Sequence, residues 1–313
     1  MRLDLLIGFL VRTSVGFTKE TCTLSKKNWA IGATAAAVVF ALSATAVSAA
    51  QPTHTAEQAA AVAGHGAKPT VVLIHGAFAD ASGWDREVAQ LKAGGYQVIA
   101  PAVPLRGLAS DAAYVTSLVR SIKGPVVLVG HSYGGAVATE VAANDPKQIK
   151  AIVYAAGFIP AKGENVLQLS NKFPGSLLSP ATSYTVNVPG GTDLYIKPAD
   201  FHAAFAADRT PAQAAVAAAT QRPITQAAAG DPAAASVPAG IPLYEIVAGQ
   251  DKMIPPAAER FMARRAHATI YTVNSAHDMP VSPTTPRSPP TWSPSVRSGW
   301  PARSAAYRRP SGA

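Results

Sequence analysis

The chain has 313 residues, 48% of them apolar, which suffices for a buried core in one large domain or two small ones. Its formal charge of +9 raises the question of a polyanionic partner, but residues 1–49 hold five cations against two acids, and residues 281–313 hold five arginines and no acid. The stretch between is close to neutral, so neither a basic binding face nor a nucleic-acid partner is expected.

From the amino end, Lys26-Lys27, an apolar run over 29–47 and then Ser48-Ala49-Ala50 have the charged, apolar and small-residue order of a secretory signal. The signal is assigned to residues 1–50, with cleavage after Ala49 or Ala50, which predicts a secreted or periplasmic protein. The alternative is an uncleaved anchor, the only membrane contact foreseen. The long stretch before Lys26 leaves open a translation start downstream of Met1. The single cysteine, Cys22, precedes the apolar run without a lipobox, so no disulfide framework, lipid anchor or cysteine chemistry is expected. Residues 51–69 are rich in Ala, Gly, His and Gln without hydrophobic period and form a linker.

The folded region is expected over 70–282. Short β-branched runs at 71–74, 97–100, 126–129 and 151–154 alternate with helical patterns at 84–92, capped by Ser82, at 111–121 behind Ser110, and at 133–143. This repetition predicts an α/β fold, a doubly wound and mostly parallel sheet with helices on both faces. Over about 157–240 the strand rhythm stops; weakly helical stretches at 198–217 and 212–221 predict a helical cap over the carboxyl edge of the sheet. The rhythm resumes at 243–248, with a helix at 256–265 and a last strand at 269–273. From 283 to 313 the chain has prolines and arginines but no period, so the helix needed to cover the sheet after its last strand is read as missing. A reading-frame change just after Ser282 is the expected cause of that break, because degenerate codons from Pro283 onward, read two bases later, can yield an amphipathic pattern.

The chemistry is carried by Gly130-His131-Ser132-Tyr133-Gly134, a Gly-x-Ser-x-Gly lying directly between a strand and a helix. This context makes Ser132 the candidate nucleophile. A serine hydroxyl needs a base oriented by a carboxylate. Of seven histidines, His54 and His65 fall in the linker, His75 and His131 in strand-end motifs and His202 in the cap. His267 leads into the last strand, whereas His277 follows that strand's end, where a loop can reach the serine. The acid candidate is Asp251, after the strand at 243–248, with Asp278 and Glu164 as competitors. Backbone N–H groups of Ala77, in His75-Gly76-Ala77-Phe78, and of Tyr133 are the candidate oxyanion donors. His75 is read as holding that loop rather than reacting.

These motifs, with Trp84, Gln221-Arg222-Pro223 and the stretch 251–262, resemble bacterial esterase-like α/β-hydrolases related to plant methylesterases and hydroxynitrile lyases, over about 70–282. The resemblance implies small carboxylic esters as substrates, no cofactor and no metal, an α-helical cap, and catalytic roles for Ser132, Asp251 and His277. The lyase branch places a threonine after the first histidine of the oxyanion loop and a lysine after the catalytic histidine. Here those positions hold Gly76 and Asp278, which disfavours cyanohydrin cleavage. A non-catalytic ligand-binding module or an inactive product remains the alternative to an enzyme.

Overall fold

The computed structural model describes residues 18–19 and 68–279. The expected signal segment apart from residues 18–19, nearly all of the linker, and the tail on which the reading-frame change and the missing helix are expected lie outside those residues. In chain order, a two-residue strand β1 (Thr18–Lys19) is followed by β2 (Thr70–Ile74), α1 (Asp85–Ala93), β3 (Val98–Ile99) and α2 (Leu108–Ser121). Then come β4 (Val126–Ser132), α3 (Tyr133–Asn144) and β5 (Ile149–Gly157).

After β5 the chain leaves the main sheet for α4 (Val166–Ser170), β6 (Ser183–Val188), β7 (Gly191–Ile196), α5 (Pro198–Phe205), α6 (Pro211–Thr220), β8 (Ile224–Thr225) and α7 (Gln226–Gly230). It returns with β9 (Leu243–Ala248), α8 (Pro256–Arg265) and β10 (Thr269–Val273).

The main sheet has the order β1-β10-β9-β5-β4-β2-β3, parallel throughout except for the antiparallel β1. Its central strands β2 and β4 are buried at every position and carry the apolar runs 71–74 and 126–129, because both faces are covered there. Alternation divides the side chains: Val72, Ile74, Val126 and Leu128 join the core shared with α2, α3 and the cap, while Val71, Leu73, Val127 and Val129 pack with Trp84 and Leu91 on the α1 side. The chain runs outward from β2 to the edge strand β3 and then crosses back to β4 on the other side of β2. That reversal places a crevice beyond the carboxyl ends of β2 and β4, where ligands bind in open α/β sheets.

Two helix starts differ from the sequence expectation. Before α1, a 3-10 turn over Ala81–Trp84 is capped by Asp80, whose carboxylate accepts from Ser82 N at 2.8 Å, so Ser82 is a donor and not the cap. Helix α2 begins at Leu108, ahead of Ser110, because its first N–H is satisfied by Asp231 Oδ2 at 3.0 Å, from far along the chain.

The cap is the larger correction, since it is not wholly helical. Strands β6, β7 and β8 form an antiparallel sheet, with β6 and β7 joined through Pro189-Gly190 in register Val188↔Gly191. Gly190 and Gly191 sit at φ 91° and 147°, angles that favour glycine. The stretch expected to be helical over 198–217 is two helices. Pro211 at the start of α6, with a capping box between Thr210 and Gln213, begins the second. The cap is tied down by an Arg106–Asp193 ion pair and by Thr225, which donates from its N to Leu105 O and from its Oγ1 to Arg106 O.

Candidate active site

Ser132 is the last residue of β4 and turns straight into α3 with φ 53° and ψ −125°, a strained conformation for a residue with a side chain. The turn closes because its neighbours lack bulk. A Cβ on Gly130 would lie 2.5 Å from Gly134 O, and one on Gly134 would lie 2.3 Å from Ile74 O. Tyr133, next along, is anchored by its hydroxyl, which donates to Asp111 Oδ2 at 2.8 Å. Burial pushes the Asp111 carboxyl up, while the Tyr133 hydroxyl and backbone N–H groups of the preceding loop pull it down.

His277 follows β10 and Asp251 follows β9, and the parallel register of these strands brings both loops to the edge where Ser132 sits. His277 Nε2 lies 2.9 Å from Ser132 Oγ, and His277 Nδ1 lies 2.5 Å from Asp251 Oδ2. A carboxylate only accepts, so Nδ1 carries the proton toward Asp251 and Nε2 is left to accept from the serine hydroxyl. Asp251 Oδ1 in turn accepts from Met253 N and Ile254 N at 2.6 and 2.8 Å, which fixes the carboxylate. All three side chains are buried.

The competitors are engaged elsewhere. Asp278 pairs with Arg209, Glu164 accepts from Arg265 and from Ala161 N, and His267 lies exposed after α8. His75 accepts from Val103 N at 2.9 Å through Nε2 and donates through Nδ1 to Gly76 O at 2.9 Å, so its ring braces the loop after β2. Burial lowers its pKa, keeping the ring neutral in that role.

Ala77 and Tyr133 line the same cavity as Ser132, while Phe78 N donates to Arg222 O at 2.8 Å and so is committed to the cap. The cavity measures about 30 Å³ and is walled by Phe158, Leu167, Leu194, Ile224 and Ile254. By volume it holds about one or two waters.

Two features escaped the sequence. His131, noticed only as part of the strand-end motif, donates from Nε2 to the backbone carbonyl of His277 at 2.9 Å, and burial drives its pKa down to about 3, with His277 adding to the fall. Behind Asp251, Glu245 and Glu259 are fully buried. Burial raises both, and the Asp251 charge adds to the rise, so the pair is held toward the neutral form. Glu245 accepts from Gly157 N and Glu259 from Ala248 N. Neither role has a local signal, because each depends on partners that only the sheet brings together.

Comparison with known proteins agrees with this architecture. A family model described as Alpha/beta hydrolase family matches residues 71–287. A carbendazim hydrolyzing esterase of Nocardioides sp. (strain SG-4G) is 31% identical over 113 residues, 32% of this chain and 47% of that protein, so the match spans about half the relative's length. Among solved structures, a pyrethroid hydrolase from Sphingobium faniae JZ-2 superposes with a TM-score of 0.56 at 21% identity, covering 68% of this chain and 92% of the other. A methylesterase from Arabidopsis superposes with a TM-score of 0.58 at 16% identity, covering 69% and 93%. At those identities the structural likeness speaks for the fold.

Proposed function

The chain belongs to the alpha/beta hydrolase family, and from that premise we propose that it hydrolyses small carboxylic esters through an acyl-enzyme on Ser132. The observation that carries this reading is the unbroken series Ser132 Oγ, His277, Asp251, with contacts of 2.9 and 2.5 Å, beside a cavity that Ala77 and Tyr133 also line.

In this mechanism Ser132 Oγ bonds to the ester carbonyl carbon as His277 Nε2 takes its proton. The new charge on the carbonyl oxygen is met by the N–H groups of Ala77 and Tyr133, and Asp251 steadies the imidazolium. Collapse breaks the carbon–oxygen bond, and the departing alkoxide takes the proton back from His277. Water then adds to the acyl carbon with the same base, releasing the carboxylic acid and restoring Ser132.

The apolar wall and small volume of the cavity support an uncharged ester with a compact group against Ser132. The relative named as an esterase points the same way. Cyanohydrin cleavage is disfavoured by Asp278, which stands where a lyase of this kind would need a cation and is already paired with Arg209. Ser132→Ala tests the reading on p-nitrophenyl acetate and butyrate. Turnover should fall about 10⁴-fold or more with an unchanged circular dichroism spectrum. Retained turnover overturns the mechanism.

We also read residues 1–50 as an export signal, on the order Lys26-Lys27, apolar run, Ser48-Ala49-Ala50; its cleavage would remove β1 from beside β10 and leave β10 as the edge strand. Amino-terminal sequencing of the mature protein should begin at Ala50 or Gln51, and a mature chain that keeps Trp29 rejects cleavage.

A further inference from the structure

The turn between α5 and α6 presses onto the loop that carries His277. Asp208 Oδ2 accepts hydrogen bonds from Ser275 Oγ and from Ala276 N, both at 2.9 Å. Asp278 N donates to Phe205 O at 3.0 Å, and the Asp278 carboxylate pairs with Arg209. The Phe205 ring meets the imidazole edge to face, with centroids 5.1 Å apart and planes at 71°. One cap turn therefore grips the residues on both sides of His277 and the imidazole itself.

The turn is stiff enough to act as a brace. Arg209 N donates to Ala206 O at 3.0 Å, and the His202 ring donates from Nε2 to Arg209 O at 2.9 Å. From the sheet side, His131 holds the His277 carbonyl, so the histidine loop is clamped between the sheet and the cap. The clamp is also costly to bury. Asp278 is 5% and Arg209 12% exposed at the side chain, and burial pushes the Asp278 carboxyl up to about 7 although Arg209 and His277 pull it down. These buried polar groups converge on the loop that carries His277, and proton transfer across 2.9 Å depends on where the imidazole sits.

We propose that Asp208, assisted by Arg209, is a positioning residue for His277, so that the seated cap completes the site. The inference rests on the reading of Ser132 and His277 given above. It adds a coupling: Leu167, Leu194 and Ile224 of the cap wall the cavity that a substrate must enlarge, and the same cap holds the base in place. Cap seating and base alignment are one event.

The test is kinetic, on the full chain with a p-nitrophenyl ester, with kcat expressed per Ser132 titrated to completion by a fluorophosphonate. Asp208→Ala should lower kcat about a hundredfold with KM within about threefold, because the loss is one of alignment. Asp208→Asn keeps an oxygen that accepts both bonds and should recover to within about threefold of the parent. Should Asp208→Ala fail to fold, Ser275→Ala removes one of the two bonds while leaving Asp208 in place, and should lower kcat about tenfold. A parental kcat per titrated site in Asp208→Ala, or in Ser275→Ala where it stands in, overturns the proposal, as does an Asp208→Asn variant no better than Asp208→Ala. A Ser132→Ala control that still turns over ester would instead reject the underlying reading, whatever position 208 does.

Discussion

The carboxyl edge of the sheet and the cap above it are built in opposite ways. At the edge, each chemical group hangs from the end of a buried parallel strand: Ser132 from β4, Asp251 after β9, His277 after β10 and Ala77 after β2. Strand order and register then dictate which groups meet. The cap consists of short helices and a small antiparallel sheet, which share the apolar core through side chains such as Phe201, Phe205 and Ile224 and add polar ties such as Arg106–Asp193 and Leu108 N to Asp231. The difference teaches that strand order decides which reacting groups meet, while the cap supplies the walls around them and, at the α5–α6 turn, contacts on both sides of His277.

The sharpest way to break that contrast is at the edge. Asp251→Asn keeps the size of the side chain but removes the charge that orients His277, and it should lower kcat about 10³- to 10⁴-fold while the protein stays folded. A loss of less than about tenfold, measured on a p-nitrophenyl ester, would mean that another acid serves the imidazole. Gly134→Ala comes next. Its Cβ would meet backbone oxygens of Ile74 and His75 at 2.3 and 2.8 Å, which no side-chain rotation relieves. Thermal or denaturant unfolding should show a loss of about 1–3 kcal/mol or more, with activity falling as the oxyanion loop moves.

How far the sequence could be read follows the same division. The nucleophile turn, the two loops and their order along the chain were legible because each motif is local and sits at the end of a recognisable apolar run. His131 bonding to the His277 carbonyl was not, since its partner is 146 positions away and no periodicity announces it. The same holds for Asp231 capping Leu108. In the cap, alanine-rich helices obscured signals that are present. Pro189-Gly190 between the β-branched runs of β6 and β7 marks a hairpin, and Thr210-Pro211 followed by Gln213 marks a helix start.

A smaller effect separates the layers by pH. Burial pushes the Glu87 carboxyl on α1 up to about 8 from 4.5, and its Oε2 has no hydrogen-bond partner among the described residues. The folded chain thus holds this proton more tightly than the unfolded chain. The contribution to stability is complete below pH 4.5 and is lost as pH rises through about 8. Glu87→Gln should therefore stabilise the protein on the order of 1 kcal/mol at pH 9 and change little at pH 5, as read by melting curves. A variant equally stabilised at both pH values would deny the shift. The least effect is expected on the outer face of the cap. Val216 on α6 is 65% exposed, so Val216→Ser should alter stability by no more than about 0.5 kcal/mol in denaturant unfolding. A larger loss would show the cap's outer face to be under tighter constraint than its packing implies.

The central claim is that His277 activates Ser132 across the 2.9 Å contact between them. Labelling the folded protein with a fluorophosphonate, followed by peptide mass spectrometry, tests it most directly. The adduct should fall on Ser132 and form at least about a hundredfold more slowly in a folded His277→Ala variant. Labelling of a different residue, or labelling of Ser132 at the same rate without the imidazole, would contradict it.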